Sequence, residues 1–111
     1  MTVNDIKDAL ELRVFAGEGN LVNIVEGGYT SDLLSDVMGH AEANHIWITL
    51  QTHKNVIAIA SLKELAAIIL VKGFEPDPDT LELAINEGVP LLGSTGEAFE
   101  TSGQLYKLLY P

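Results

Sequence analysis

Apolar residues in this 111-residue chain form short runs whose spacing alternates between the two regular patterns of secondary structure. Runs of four to six residues rich in β-branched and aromatic side chains are typical of buried strands. Five such runs predict strands at residues 13–16, 21–25, 45–50, 66–71 and 89–92. Stretches with apolar residues three and four positions apart predict amphipathic helices. These helices fall at residues 3–11, 31–41, 54–64, 78–88 and 97–109.

The segment VIAIA, residues 56–60, fits either a central strand or a buried helix, because a short apolar run has no visible period. A strand here would have to pair with residues 65–71 through a turn containing Lys63 and Glu64, without glycine or proline. A helix over residues 54–64 needs no such turn. We therefore interpret this segment as a helix.

Capping residues support these helix boundaries. Side chains that accept hydrogen bonds from the first backbone N–H groups are typical of helix starts. The candidate caps are Thr2, Ser31, Asp77 and Thr95. Pro78 follows Asp77 at the first helical position, and Gly88 provides a left-handed residue at the end of the same helix.

After the first helix, strand and helix alternate about four times, which predicts a mostly parallel sheet covered by helices on both faces. The expected fold class is a three-layer α/β/α arrangement with about five strands. The length predicts a single domain, residues 1–111, that begins with a helix over residues 1–12. Trp47 lies inside a predicted strand, so we expect it in the core.

The composition is acidic, with 6 basic against 16 acidic residues and a formal net charge of -10. Such a surface repels nucleic acid and anionic membranes at long range, so we expect neither as a partner. The chain has no cysteine and no basic, apolar leader at its start, and we expect a cytoplasmic location. A small anion remains compatible with this charge, because a local cluster of donors acts over a few ångströms.

Ligands of parallel α/β sheets usually bind at the carboxyl ends of the strands. The loops that leave those ends are GGYTSD, QTHKN, KGFEPD and GSTGE. The candidate ligand-binding residues in these loops are Gly27, Gly28, Ser31, Asp32, Thr52, His53, Lys54, Asn55, Lys72, Gly73 and Thr95.

These residue types match a small anionic ligand. Gly27 and Gly28 precede a predicted helix start, where backbone N–H groups attract negative charge. Lys54 is suited to contact a phosphate, and His53 to exchange a proton near neutral pH. An equally open alternative is that QTHKN is a solvated turn in which one polar side chain caps the next helix.

No catalytic, metal or cofactor set is predicted. The sequence has no P-loop motif, no GxGxxG fingerprint and no nucleophile elbow. Its histidines, at positions 40, 45 and 53, lack the spacing that would aim two imidazoles at one metal ion. We therefore expect a protein that binds rather than one that catalyses.

Four segments together resemble the DRTGG domain family and, more distantly, the N-terminal domain of bacterial HPr kinase/phosphorylase. They are GGYTSDLLSDVM, WITLQTHKNVIAIASL, ILVKGFEPD and LELAINEGVPLL, and the resemblance covers about residues 20–109. It implies the same three-layer fold. The motif that names the family would fall as Asp-Arg on His53 and Lys54, and as Thr-Gly-Gly on Val71, Lys72 and Gly73, so this chain keeps only the positive charge and the last glycine.

The resemblance implies a non-catalytic regulatory or interaction module. Members occur fused to nucleotide-sensing CBS domains, and stand-alone copies are encoded near iron-only hydrogenase subunits, which suggests a link to hydrogenase or energy metabolism. The kinase activity of HPr kinase lies in a separate P-loop domain, so that activity is not expected here. We expect a homodimer that binds a small nucleotide or phosphate ligand or a protein partner. The alternatives are a phosphate-transfer or hydrolytic accessory enzyme using His53 with Lys54 and Lys72, and a purely dimeric scaffold.

Overall fold

A computed structural model describes all 111 residues of the chain. The strands are β1 (Arg13–Ala16), β2 (Gly27–Thr30), β3 (His45–Thr49), β4 (Ala67–Leu70) and β5 (Leu91–Gly93). The helices are α1 (Val3–Leu10), α2 (Leu34–His40), α3 (Asn55–Leu62), α4 (Pro78–Glu87) and α5 (Ala98–Leu109). A single 3₁₀ turn, Glu18–Asn20, follows β1. No helix is long and apolar enough to cross a membrane.

The five strands form one sheet in the order β1-β5-β4-β3-β2. Strands β2 to β5 are mutually parallel, and β1 pairs with β5 in the antiparallel direction. In the parallel part, Gly27 lies opposite His45, and Ile46 lies opposite Ala67. The start of β1, at Arg13, lies opposite Gly93, the last residue of β5. The expected fold class, a mostly parallel sheet of five strands in an α/β chain, is confirmed.

The helices lie on both faces of the sheet. Each step from β2 to β5 moves to the next strand in the same direction, and right-handed crossovers then place α2, α3 and α4 on one face. That face is packed by Trp47, Val56 and Ala84, among other buried residues. On the opposite face, Ile6 of α1 and Leu105 of α5 pack on the remaining strand side chains. Trp47 is fully buried, as expected.

Several local predictions are confirmed. VIAIA lies in α3, where Val56, Ile57 and Ile59 are buried. Thr2 caps α1 and forms a reciprocal pair of hydrogen bonds with Asp5, the arrangement known as a capping box. Gly88 ends α4 in the left-handed conformation.

The predicted strand at residues 21–25 is wrong, because β2 begins only at Gly27. Residues 21–25 instead wrap the start of α1, where the carbonyl groups of Asn23 and Leu21 accept hydrogen bonds from the first helical N–H groups at 2.9 Å each. Val25 is buried, whereas Val22 and Ile24 are exposed. The backbone of this apolar run therefore accepts hydrogen bonds from the first N–H groups of α1 and does not extend the sheet.

The glycine pair is not a turn, and this corrects a second prediction. Gly27 and Gly28 belong to β2, and a side chain on either would crowd its neighbour. A Cβ on Gly27 would lie 2.8 Å from Nε2 of His45, and one on Gly28 would lie 2.9 Å from Cδ2 of Leu105. The glycines therefore allow close packing on the edge strand.

Two predicted caps are also wrong. Leu33, not Ser31, precedes the first residue of α2, and no side chain caps that helix. At α5 the N-cap is Glu97, which forms a capping box with Glu100, so Thr95 lies outside the helix start. The Ser31 hydroxyl instead accepts a hydrogen bond from the N–H of Leu33, ahead of the helix. Asp77 does precede α4, but its side chain makes no capping hydrogen bond.

Gly17 and Gly19 offer a matched test of how β1 is seated against β5. Gly17 has a φ of 83°, and a Cβ there would lie 2.5 Å from the backbone of Pro90, whereas a Cβ on Gly19 would meet nothing within 4 Å. We expect Gly17→Ala to lower the free energy of unfolding by about 2–4 kcal/mol, through left-handed strain and steric overlap. Gly19→Ala should change it by less than about 1 kcal/mol. Urea denaturation measures both, and equal effects would contradict this packing.

Candidate functional site

The carboxyl ends of β2, β3, β4 and β5 lie on one edge of the sheet, because these strands are parallel. The antiparallel strand β1 adds its beginning to the same edge, through the pairing of Arg13 with Gly93. The edge therefore collects the loops at residues 31–33, 50–54, 71–77 and 94–97, together with Arg13. It is the place where a ligand of this fold class is expected.

Asp32 joins the ends of β2 and β3. One of its carboxylate oxygens accepts hydrogen bonds from the hydroxyl of the buried Thr49 and from the N–H of Leu50, both at 2.8 Å. Its backbone carbonyl accepts a third hydrogen bond from the side-chain amide of Gln51 at 2.9 Å. Asp32, predicted as a ligand-binding residue, thus already has a structural role.

Ser31 is likewise held within the chain. Its carbonyl accepts a hydrogen bond from the indole N–H of the buried Trp47 at 2.8 Å, and its hydroxyl accepts one from the N–H of Leu33 at 3.1 Å. These contacts fix the turn between β2 and α2. They leave Ser31 half-buried, with its polar atoms directed toward the chain itself.

The loop QTHKN divides into a structural part and a free part. The Thr52 hydroxyl donates to the carboxylate of Asp77 at 3.2 Å, and the N–H of Asp77 donates back to the carbonyl of Thr52 at 3.1 Å. This pair joins the loop to the start of α4. The imidazole of His53 and the ammonium of Lys54 make no hydrogen bond or ion pair within the chain.

Lys54 and Asn55 line a groove of about 360 Å³ between α3 and α4. Asp79 and Glu82 are on the opposite side of the same groove. One lysine facing two carboxylates gives the groove a negative local charge, which favours a cationic or neutral occupant over an anion. Lys54 is therefore less suited to bind an anion than we expected from the sequence.

Lys72 and Gly73 both adopt the left-handed conformation, with φ of 62° and 71°. Their N–H groups donate to the carbonyls of Gly96 and Ser94, at 2.7 and 2.9 Å. The Ser94 hydroxyl accepts a further hydrogen bond from the N–H of Gly96 at 3.0 Å. The two loops that follow β4 and β5 are thus fastened together, and a left-handed lysine is an uncommon conformation of the kind found at functional sites.

A second cavity, of about 180 Å³, opens beside these fastened loops. Its lining residues are Glu11, Arg13, Phe15, Gly73, Phe74, Gly93, Ser94 and Thr95. The Arg13 guanidinium lies over the ring of Phe15, 4.5 Å from its centroid, and 3.7 Å from a carboxylate oxygen of Glu75. The hydroxyl and N–H of Thr95 have no partner within the chain. This cavity brings together an arginine and the solvent-facing donors of the exposed Thr95.

Sequence reasoning missed Arg13 and Ser94. Arg13 stands at the start of its strand, and in an all-parallel sheet that position would lie at the opposite edge. Only the antiparallel pairing of β1 with β5 moves Arg13 to the ligand edge. Of the predicted residues, Gly73 and Thr95 line this cavity, and Thr52 to Asn55 and Lys72 belong to the same edge. Gly27 lies at the amino end of β2, opposite the first residue of β3.

The family model of the DRTGG domain matches residues 5–108. This chain belongs to the DRTGG domain family. The resemblance predicted from the four sequence segments is thereby confirmed. None of the curated proteins matches the DRTGG chain in sequence. The positions corresponding to the family's naming motif, His53 with Lys54 and Val71 with Lys72 and Gly73, follow the neighbouring strands β3 and β4 at one edge of the sheet.

A solved structure shares the fold of this DRTGG domain. It is the crystal structure of the CBS and DRTGG domains of the regulatory region of Clostridium perfringens pyrophosphatase, complexed with the activator diadenosine tetraphosphate. The TM-score is 0.74 at 15% sequence identity, over 94% of this chain and 45% of the other. The DRTGG chain thus spans less than half the length of that structure.

We expect Asp32 to stabilise this edge of the fold. Asp32→Ala removes the acceptor of two hydrogen bonds, one from the buried Thr49. The free energy of unfolding should fall by about 2 kcal/mol, whereas Glu87→Ala, at an exposed carboxylate without a partner, should change it by less than about 0.5 kcal/mol. Urea denaturation compares the two, and an unchanged stability in Asp32→Ala would exclude this role.

Stability should also depend on the ionisation of Asp36. Hydrogen bonds from Ser31 and from Tyr29, whose hydroxyl lies 2.9 and 3.0 Å from the two carboxylate oxygens, lower the pKa of Asp36 below its usual value. A carboxyl with a lowered folded pKa contributes stability that is present above its unfolded value and lost as pH falls through the folded pKa. Burial, then the bond to Asp36, raises the pKa of Tyr29.

We therefore expect Tyr29→Phe to lower Tm at pH 7, with the difference from the wild type shrinking as the pH falls below about 4. Thermal unfolding from pH 7 to pH 3 measures this difference. Tyr110→Phe, which removes a hydroxyl without a partner, is the control and should leave Tm unchanged across the range. A difference that stays constant with pH would disprove the contribution of this hydrogen bond.

Proposed function

We propose that this DRTGG domain is a regulatory module that senses a small phosphate-bearing ligand, of nucleotide type, at the cavity beside Arg13. The observation that carries the proposal is the convergence of Arg13 with the unpaired hydroxyl and N–H of Thr95 at the ligand edge of the sheet. Five donors on a planar guanidinium match the oxygens of a phosphate group. The proposal makes Arg13 the anchor of the site.

Arg13 is available to a ligand. Its side chain is 65% exposed, and its ion pair with Glu75 is long, at 3.7 Å, between two exposed groups. Such surface pairs contribute at most about 1 kcal/mol, whereas a phosphate that accepts two hydrogen bonds from one guanidinium binds more strongly. Glu11 also lines this cavity, so its net local charge is no more favourable than that of the groove beside Lys54; binding of a phosphate here depends on the two hydrogen bonds from the guanidinium, which replace the long contact to Glu75.

The cavity is also preorganised. The hydrogen bonds from Lys72 and Gly73 to the loop that follows β5 fix the position of Thr95 before any ligand arrives. The start of α5 does not compete for the phosphate, because it carries the carboxylates of Glu97 and Glu100, and the latter accepts a hydrogen bond from the N–H of Glu97 at 3.3 Å. The phosphate is thus directed to Arg13 and Thr95 rather than to the helix terminus.

The volume limits what the cavity holds. At about 180 Å³ it is smaller than the roughly 300 Å³ that a complete drug-sized ligand requires, so one part of a nucleotide occupies it. The ring of Phe74, which is 44% exposed, supplies apolar surface on which a planar base stacks, whereas the ring of Phe15 is already covered by Arg13. The remainder of the ligand extends along the edge, toward Lys72.

The similar structure supports the ligand class. The regulatory region of the Clostridium perfringens pyrophosphatase is complexed with diadenosine tetraphosphate, which combines adenine bases with a chain of phosphates. Both parts find a matching group here, in the ring of Phe74 and in Arg13. The regulatory role and the nucleotide class of the proposed ligand follow that structure, whereas the proposed binding residues follow the geometry of this chain.

The residues of QTHKN extend the proposed site without anchoring it. Thr52 is bound to Asp77, and Lys54 and Asn55 line the acidic groove. His53 lies half-exposed on the same edge. The enzymatic alternative based on His53, the cytoplasmic location and the link to hydrogenase or energy metabolism stay predictions.

The test measures ligand binding to the full chain by native mass spectrometry and calorimetry. The probes are inorganic phosphate, AMP, ATP and diadenosine tetraphosphate, with wild type, Arg13→Gln, Thr95→Ala and Lys54→Gln. We expect Arg13→Gln to raise Kd for a nucleotide about 10- to 100-fold, as a lost charge-assisted hydrogen bond implies. Thr95→Ala should raise Kd by a smaller factor.

Lys54→Gln is the matched control, because it removes one exposed positive charge from the neighbouring groove. It should change Kd less than about threefold. If Lys54→Gln abolishes binding and Arg13→Gln does not, the ligand lies between α3 and α4. If no probe binds the wild type, the scaffold alternative replaces the sensor.

A further inference from the structure

The outward face of α5 is unusually apolar. Phe99 is 85% exposed, Tyr106 65% and Tyr110 55%. Spacings of seven and eleven residues place all three on one side of the helix. The rings of Tyr106 and Tyr110 lie against each other, with centroids 4.8 Å apart. The result is an aromatic strip along one side of the helix, defined here as Phe99, Tyr106 and Tyr110.

Gly103 lies in the middle of this face. A Cβ at that position would meet nothing within 4 Å, so packing within the chain does not require glycine. Glycine in a helix interior lowers stability relative to alanine. The absent side chain leaves a flat surface on which another helix approaches closely.

A cavity of about 240 Å³ adjoins the strip, between α5 and the edge strand β2. Leu105, Leu109 and Ile48 supply apolar walls, and Tyr106 and Tyr110 form its border. The volume is large enough for a phenyl ring. The face therefore presents both a projecting ring, Phe99, and a hollow that accepts one.

We propose that the outward face of α5 is a dimer interface, where a second copy of this chain packs with its own α5 antiparallel and the two-fold axis near Gly103. Charge complementarity selects a second copy as the occupant. Glu100 lies three residues before Gly103, and Lys107 lies four residues after it, so both are 3.5 positions from the same midpoint. An antiparallel pairing brings each Glu100 beside the partner's Lys107.

The same register pairs the aromatic residues. The two-fold axis is perpendicular to both helices and lies in the plane of the interface. It therefore places the aromatic strip of one copy against the aromatic strip of the other, and the charged side of one copy against the charged side of the other. Phe99 then faces the partner's segment 107–110, at the border of the cavity. A single register therefore pairs the aromatic strips, places Phe99 beside the partner's cavity and pairs Glu100 with the partner's Lys107.

The charge of the whole chain supports this choice. Two chains of formal charge -10 repel each other, so contact between them is favoured on a surface whose local net charge is close to zero. The face of α5 carries one acid and one base, with Phe99, Gly103, Tyr106 and Tyr110 between and beside them. A basic protein partner would instead be drawn to the acidic surface elsewhere. The proposed dimer does not depend on the ligand site.

The test uses a charge exchange. In Glu100→Lys two lysines face each other at each contact, and in Lys107→Glu two glutamates do. Native mass spectrometry and sedimentation should show a wild-type dimer and a Kd raised about tenfold or more in each variant alone. Mixing the two variants restores both attractive pairs, so a heterodimer with nearly wild-type Kd is expected.

Two further variants test the apolar part. Phe99→Ser should abolish the dimer, whereas Ile85→Ser, at a residue of α4 that is 60% exposed, should leave it unchanged. Circular dichroism establishes that each variant folds. Three results would overturn the proposal. The wild type could remain monomeric even at about 100 µM, the dimer could be insensitive to these substitutions, or the mixture of charge variants could fail to form the heterodimer.

Discussion

The pairing of β3 with β4 at the centre of the sheet determines most of this architecture. Isoleucine, leucine and alanine on both faces of these strands are fully buried, together with Trp47. A parallel sheet of this kind must be covered on both faces, because nearly all its side chains are apolar and the hydroxyl of Thr49 is bound to Asp32 within the chain. The crossover helices α2, α3 and α4 cover one face as a consequence of strand order. The other face is left to α1 and α5, the two helices outside the crossovers.

That division explains why the two candidate surfaces lie where they do. α1 leads directly into β1, which can pair with β5 only at the free side of the sheet, and the antiparallel direction brings Arg13 to the ligand edge. α5 lies over the edge strand β2 and its neighbour β3, and no other element covers its outward face, where Phe99 and Tyr106 are exposed. Both surfaces thus arise from elements that the parallel core does not constrain.

The sequence predicted the parts of the fold that depend on local pattern. Burial on both faces made β3 and β4 recognisable as apolar runs, and the absence of glycine and proline around Lys63 and Glu64 favoured a helix for α3. The structure nevertheless turns at these two residues, with Glu64 in the left-handed conformation at φ 56°, so the assignment was right although its reason was not. It misplaced β2, because Gly27 and Gly28 are typical of turns and only contact with His45 and Leu105 explains them in a strand. Sequence patterns also missed Arg13, because the direction of its strand depends on how the whole sheet is assembled. Candidate residues on loops lie at the carboxyl edge of the parallel strands, as their place after those strands indicates, but their hydrogen-bond partners, such as Thr49 for Asp32, could not be predicted from spacing.

The helix α5 connects the two proposed surfaces physically. The Ser94 hydroxyl lies 3.3 Å from that of Thr101, a buried residue in the first turn of α5, and Ser94 also holds the loop that carries Thr95. A ligand that binds Thr95 in its preorganised position would therefore stabilise the arrangement of Ser94 and Thr101 at the start of the helix whose outward face is the proposed interface. Thermodynamic linkage then requires reciprocity: if the ligand tightens the dimer by a given factor, the dimer binds the ligand more tightly by the same factor. A regulatory domain needs such coupling, because a binding event has an effect elsewhere only when it changes an equilibrium between two states.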